Sequence, residues 1–212
     1  KRMEFTFEQW QGIKNHCDNV GLDFICSPFS NLAVDWLERL DVKAYKIGSG
    51  EVGNLLLLDK IQKTGREIIL SSGMSDFHEL DMVFNFLTLP KRKISVLQCT
   101  TKYPTLSVDI GLNVIQELAD RYGVLTGLSD HSGKIYPSVA AVSLGAQILE
   151  FHVVFNRNMF GPDSKSSLLI EEVVELVNSV RFIEEVIKNP IDKNNIESKD
   201  LKNAFGKTLA VN

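Results

Sequence analysis

Val124-Leu125-Thr126-Gly127-Leu128-Ser129-Asp130-His131-Ser132-Gly133 decides how this 212-residue chain is read. An apolar-rich run, Val124 to Leu128, stops abruptly in small hydroxyls, an acid and a histidine. That change is the pattern of a buried parallel strand whose carboxyl end opens into a site. A second buried run, Ile148 to Phe151, then delivers His152.

Outward from this stretch the pattern repeats. Leu22 to Cys26 ends at Ser27-Pro28-Phe29-Ser30, and Ala44 to Ile47 ends at Gly48-Ser49-Gly50-Glu51. Glu67 to Leu70 ends at Ser71-Ser72-Gly73-Met74, and Ile94 to Cys99 at Thr100-Thr101-Lys102-Tyr103-Pro104. Helical stripes separate these runs. Trp10, Ile13, Cys17 and Val20 follow a capping box at Thr6–Gln9 and end at Gly21. Ala33, Trp36, Leu37 and Leu40 follow Ser30, and Leu55 to Ile61 precedes Gly65. Ser75 is placed to cap a helix bearing Phe77, Leu80, Phe84 and Leu87. Leu112, Ile115, Leu118, Ala119 and Tyr122 form a stripe closed by Gly123. Pro137 to Leu144 stops at Gly145, and Glu171 to Lys188 is the last amphipathic helix. Asn156 to Ser167 reads as a loop, and the polar tail 191–212 as a linker.

Strand and helix thus alternate six times, without a GxGxxG or Walker motif. Strands that each end in Ser, Thr, Lys, Glu or His suggest a TIM (β/α)8 barrel, whose site gathers the strand tips at one face. About six β/α units are expected within residues 1–190; either the first two units of a barrel precede Lys1, which is the favoured reading, or the sheet is open. The bulk numbers agree with one soluble domain: 44% of residues are hydrophobic and 24% charged. A net charge of -4 argues against a general nucleic-acid binder. Cys17, Cys26 and Cys99 have no CxxC spacing, which suits a reducing, cytoplasmic compartment. No apolar stretch approaches membrane-spanning length, so no membrane partner is expected.

Lys46 lies inside an apolar strand, where an ammonium is costly unless an anion pairs with it. It either forms an ion pair with an internal carboxylate such as Glu150 or holds an anionic ligand. Ser27, Ser49, Ser71, Ser129 and the Thr100-Thr101 pair are ordinary turn hydroxyls one at a time. Together, beside Gly48, Gly50 and Gly73, they can cradle a phosphate. His131 and His152 end neighbouring strands, which begin about 5 Å apart. They are either structural or general-base histidines, or two ligands of one cation. With water and substrate oxygens they suit octahedral Mn²⁺, Co²⁺ or Mg²⁺ better than a closed zinc site. Asp130 is a further ligand or a partner of one. His16 and His78 fall on helices, away from the tips. Asp163, in Gly161-Pro162-Asp163, is a turn aspartate or a holder of substrate hydroxyls.

The motifs Lys46–Glu51, Ser71–Met74, Cys99–Pro104, Gly127–His131, Glu150–His152 and Gly161–Asp163 occur in that order. Over almost the whole chain they resemble the barrel domain of the sialic acid synthases, including the legionaminic and pseudaminic acid synthases. The resemblance implies condensation of phosphoenolpyruvate with an N-acetylmannosamine-type sugar and release of phosphate. It assigns Lys46, Ser49, Ser71 and Ser129, with Ser27 assisting, to phosphoenolpyruvate. Thr101 stands where the family commonly has an asparagine that touches phosphate. His131 and His152 are the implied Mn²⁺ ligands, and with Lys46 form the implied catalytic set. Glu51, Tyr103 and Asp163 are the implied sugar contacts. The resemblance also implies a domain-swapped homodimer and an antifreeze-like C-terminal domain beyond the linker. The 212 residues alone are accordingly expected to be poorly active. Met159-Phe160 and Lys165-Ser166-Ser167 leave room for a 6-deoxy, di-N-acetylated sugar. The competing readings are a metal-dependent barrel hydrolase, which needs more carboxylate ligands, and a non-catalytic sugar-phosphate binding module.

Overall fold

The computed structural model describes residues 4–194 and 199–206. Helices α1 (Phe7–Asn19) and α2 (Asn31–Arg39) lead into β1 (Ala44–Ile47), α3 (Leu55–Lys63) and β2 (Glu67–Ser71). Then come α4 (Phe77–Phe86), β3 (Ile94–Cys99), α5 (Asn113–Tyr122), β4 (Leu125–Asp130) and α6 (Tyr136–Ser143). The chain continues through β5 (Ile148–Val153), β6 (Ser167–Leu168), α7 (Ile170–Lys188) and α8 (Lys199–Phe205). The six strands are parallel and lie side by side in chain order.

The sheet is curled into a half-open barrel. In a flat sheet β1 and β5 would stand four interstrand spacings, roughly 19 Å, apart. Yet Lys46 Nζ on β1 lies 3.2 Å from Glu150 Oε2 on β5. Only a closing curvature brings those side chains together. The helices cover the convex face, where Val34, Leu37, Leu58, Ile61, Leu118 and Tyr122 pack with Ile68, Leu70 and Val96. A second cluster joins Ile110, Ile115, Leu128, Ala141 and Ala146 under α5 and α6. β3 is buried at every position, as a strand covered on both faces must be.

Local rules account for most boundaries. Thr6 and Gln9 form a reciprocal capping box at α1, and Ser30 Oγ accepts the Ala33 N–H at α2. Gly123, at φ 61°, closes α5 in the left-handed region, where a Cβ would be strained. The α4 cap differs from expectation. Asp76, not Ser75, accepts the Glu79 N–H at 2.8 Å, because the aspartate sits directly before the first helical residue.

The run Leu22–Cys26 forms no regular strand. Cys26 makes a single parallel bridge to Tyr45, while Leu22 and Ile25 remain exposed at the sheet edge. The loop expected over Asn156–Ser167 contains a helical turn at Ser164–Ser166 and delivers β6, too short to give a periodic signal. The polar tail contains α8; residues 195–198 and 207–212 lie outside the described residues. Among the described residues no helix is long and apolar enough to cross a membrane.

Candidate active site at the strand ends

Period-two alternation along the strands sets which side chains face the concave side. Lys46 on β1, Ile69 and Ser71 on β2, Leu97 and Cys99 on β3, and Gly127 and Ser129 on β4 share that face with Ile148 and Glu150 on β5. The register aligns Cys99 with Ser129 and Ser129 with Glu150. Two residues further on, the same register sets His131 opposite His152. Strands β2, β4 and β5 run further than their apolar stretches suggest. Ser71, Ser129, Asp130 and His152 are therefore strand residues, held more rigidly than loop-tip groups.

Lys46 donates to Ser71 Oγ at 2.6 Å and to the Ile47 carbonyl at 3.3 Å. Its side chain is 13% exposed and faces Glu150 Oε2 at 3.2 Å. Of the two readings of this buried lysine, the ion pair with Glu150 is present. It lines a cavity of about 410 Å³ with Ser27, Ile69, Leu97 and Ile148. A larger groove of about 780 Å³ lies beyond Pro104 and is mostly apolar, lined by Leu106, Val108 and Tyr136. Its polar lining, Thr105, Ser107, Ser132 and Lys134, includes neither the Lys46–Glu150 pair nor the two imidazoles.

Beside Lys46 the chain builds a small cradle. Ser49 Oγ accepts the Gly73 N–H at 3.1 Å and lies 3.7 Å from Cys99 Sγ. A Cβ on Gly73 would stand 2.5 Å from Thr101 Oγ1 and 2.8 Å from both Cys99 Sγ and Ser49 Oγ. Glycine permits these three side chains to approach the backbone so closely. Thr101 Oγ1 is buried there without a hydrogen-bond partner, which is costly unless a ligand supplies one.

The imidazoles meet Tyr103 in a three-ring cluster. His131 and His152 are 5.1 Å apart centroid to centroid and nearly perpendicular. Tyr103, half-exposed, lies 4.3 Å from His131 and 5.8 Å from His152. His131 Nδ1 is 3.1 Å from the Thr100 carbonyl, which acts only as an acceptor. Nδ1 therefore carries the proton, leaving Nε2 of the neutral ring free to accept or ligate. Burial pulls the His131 pKa down, but contacts with Cys99 Sγ and the Thr100 carbonyl outweigh it and leave the net shift upward. Burial raises the Cys99 thiol, yet His131, Ser49 and Ser129 bring it net below its ordinary value. His152 is shifted down, first by burial and then by the neighbouring His131 charge. Burial holds Asp130 above the usual carboxylate range, against hydrogen bonds from the Ser132 hydroxyl and N–H.

Not every expected residue joins the cluster. Asp163 Oδ2 is 3.8 Å from His152 Nδ1, at the outer side of the ring. Glu51 instead accepts from Asn54 Nδ2 at 2.8 Å, at the start of α3. Asp130 is occupied by Ser132. Sequence reasoning passed over Cys99 as a functional neighbour, although strand parity places it on the face of Leu97. It also missed Arg157, which donates to the Gly133 carbonyl at 3.2 Å and pairs with Glu172 at 2.5 Å. No periodic pattern marks such a loop residue.

Two neutral nitrogens set at neighbouring strand ends fit a cation that completes its shell with water and ligand oxygens. Among the described residues no group of three or more His, Cys, Asp or Glu side chains is arranged to hold a metal by itself. The donor set fits an open site and not a closed structural one.

Together these features define a parallel β/α barrel protein with a lysine, a hydroxyl cradle and an imidazole pair at the carboxyl ends of its strands. The chain belongs to the NeuB family, whose model matches residues 1–192. It is 35% identical over 196 residues to N,N'-diacetyllegionaminic acid synthase of Campylobacter jejuni, covering 91% of this chain and 59% of that protein. It is 35% identical over 191 residues to the N-acetylneuraminate-9-phosphate synthase of Homo sapiens, covering 90% and 53%. The chain thus spans little more than half the length of these relatives. The crystal structure of N-acetylneuraminic acid synthetase from Leptospira borgpetersenii, in complex with citrate, superimposes with a TM-score of 0.86 at 26% identity. That match covers 97% of this chain and 73% of the other.

Proposed function

We propose that the full-length protein containing this chain condenses phosphoenolpyruvate with an N-acetylated amino sugar and releases inorganic phosphate. The observation carrying this reading is Lys46, hydrogen-bonded to Ser71 Oγ and facing Glu150, with two imidazoles one concave-face step beyond Glu150. Membership of the NeuB family supports the same reading. Residues 1–190 are the barrel part of that enzyme, and the tail leads toward a further domain; a homodimer completes the assembly.

Lys46, Ser71, Ser49, Thr101 and Ser129 bind and orient phosphoenolpyruvate, with Ser27 at the cavity wall. An oxygen of bound phosphoenolpyruvate supplies the partner that the buried Thr101 hydroxyl lacks. His131, its tautomer set by the Thr100 carbonyl, and His152 hold a divalent cation, Mn²⁺ in this proposal. When bound, that cation supplies Lewis-acid polarisation of the open-chain sugar's aldehyde oxygen. Tyr103, Asp163 and Glu51 contact the sugar; Glu51 must first leave Asn54. C3 of phosphoenolpyruvate forms the new bond to the aldehyde carbon. Water adds at C2, and C–O cleavage expels phosphate with its bonding electrons. Lys46 and the hydroxyls stabilise the charge on the departing group.

The test is phosphate release from phosphoenolpyruvate by full-length protein with N-acetylmannosamine-type and 6-deoxy di-N-acetylated sugars. Sugar-dependent release that stops with chelator and returns with Mn²⁺ is expected. Hydrolysis of a sugar ester or amide with no phosphoenolpyruvate requirement would overturn the proposal.

A further inference from the structure

We infer that Glu150 is a positioning residue that acts as the internal counter-ion of Lys46 and sets how tightly this lysine holds an anion. The inference rests on the reading of Lys46 as the anion-holding residue. An ammonium has three N–H donors. Ser71 Oγ and the Ile47 carbonyl engage Lys46 at 2.6 and 3.3 Å. Glu150 Oε2 stands at 3.2 Å but outside hydrogen-bonding geometry, and no other donor reaches that buried oxygen. The carboxylate therefore balances the lysine charge without saturating its third N–H.

This incomplete pairing has a consequence for ligands. The cavity of about 410 Å³ opens beside both groups, so an entering anion oxygen can take the free N–H. Glu150 then opposes that anion by like charge while still fixing the lysine from the β5 side. A strand position holds the carboxylate in place, so the opposition cannot relax by a loop movement. A site that must release inorganic phosphate gains from such a counter-charge, since a bare buried lysine would retain the product. Glu150 thereby trades anion affinity for release. It does so through Lys46, without touching the reacting atoms.

The test uses full-length protein and inorganic phosphate, titrated by calorimetry. Like charges about 6 Å apart, screened between surface and bulk dielectric, change affinity by roughly 3- to 100-fold, so about tenfold tighter phosphate binding is expected for Glu150→Gln. Glu150→Ala should shift it in the same direction, which covers the case in which the glutamine variant fails to fold. Glu150→Asp keeps the charge and should stay within about twofold of the parent. Adding Lys46→Met to Glu150→Gln should abolish the gain. In turnover assays the KM for phosphoenolpyruvate should fall in Glu150→Gln, together with kcat as phosphate release slows. Unchanged or weaker phosphate binding in the charge-removing variants overturns the inference, as does a gain that survives loss of Lys46. If phosphoenolpyruvate is not turned over but the phosphate shift is found, the proposed reaction fails and the role of Glu150 stands. Turnover without the shift removes Glu150 alone.

Discussion

Gly127 lies on β4 opposite Ile148 of β5, and replacing it by alanine tests how those two strands are held. An ideal Cβ at this position would lie 1.9 Å from the Ile148 carbonyl oxygen and 2.9 Å from Leu97 Cδ2. The leucine can rotate, but the carbonyl belongs to the β4–β5 ladder and cannot. Relieving that contact to an ordinary carbon–oxygen separation of about 3.2 Å moves β5 from β4 by more than 1 Å. The adjacent ladder bond, from the Gln147 N–H to the Thr126 carbonyl at 2.8 Å, then stretches out of hydrogen-bonding range. Overpacking costs about 1–3 kcal/mol and the lost hydrogen bond about 1 kcal/mol, so a destabilisation of about 2–4 kcal/mol is expected. For a domain of this size that is a fall in Tm of roughly 5–15 °C. Gly12 provides the matching control. It lies exposed within α1 with nothing within 4 Å of its ideal Cβ, so Gly12→Ala should stabilise by about 0.5–1 kcal/mol. Thermal unfolding of the full-length parent and both variants, followed by circular dichroism, measures the contrast. A Gly127→Ala midpoint within about 2 °C of the parent refutes the rigidity assigned to this strand pair.

Acid stability should depend on Asp81, whose carboxyl Arg121 holds down to about 2 against a burial effect of opposite sign, with Tyr122 assisting. The folded value lies below the unfolded one of about 3.9, so this stabilisation is present above about pH 4 and is lost as pH falls toward 2. Asp81→Asn should flatten the dependence of Tm on pH across that window; a parent-like slope in the variant contradicts the assignment. His131→Ala and His152→Ala should each abolish Mn²⁺ binding, read by electron paramagnetic resonance, because neither imidazole alone provides the pair. Retained Mn²⁺ binding in both variants would remove the cation from this site. Asp76→Ala should cost about 1 kcal/mol through the lost cap of α4, while Ser75→Ala should not, a distinction that urea denaturation resolves.

The fold was legible in the sequence to the extent that each strand could be recognised by itself. Ile94 to Cys99 has enough consecutive buried positions to stand out, and Gly123 marks the end of its helix by conformational need. Ser167–Leu168 could not be read that way, because two residues carry no period and become a strand only through pairing with β5. Cys26 shows the converse: an apolar run was visible, but strand length depends on neighbours, and among the described residues it bridges β1 alone. At the site, parity placed Glu150 and His152 on one face of their strand, and Lys46 on a face of its own. It could not place Glu51, whose helical turn directs it to Asn54, or reveal that Gly73 lets Thr101, Cys99 and Ser49 approach the backbone.

The Lys46–Glu150 pair shows where the boundary lies. That a lysine within an apolar strand needs an anion follows from desolvation alone. Which anion it meets depends on curvature, since four interstrand spacings separate β1 from β5 until the sheet curls. The same curvature brings Ser27 to their cavity from a segment that makes only a bridge. Side-chain chemistry in a strand is therefore readable residue by residue, whereas the partner it acts with is a property of how the whole sheet closes.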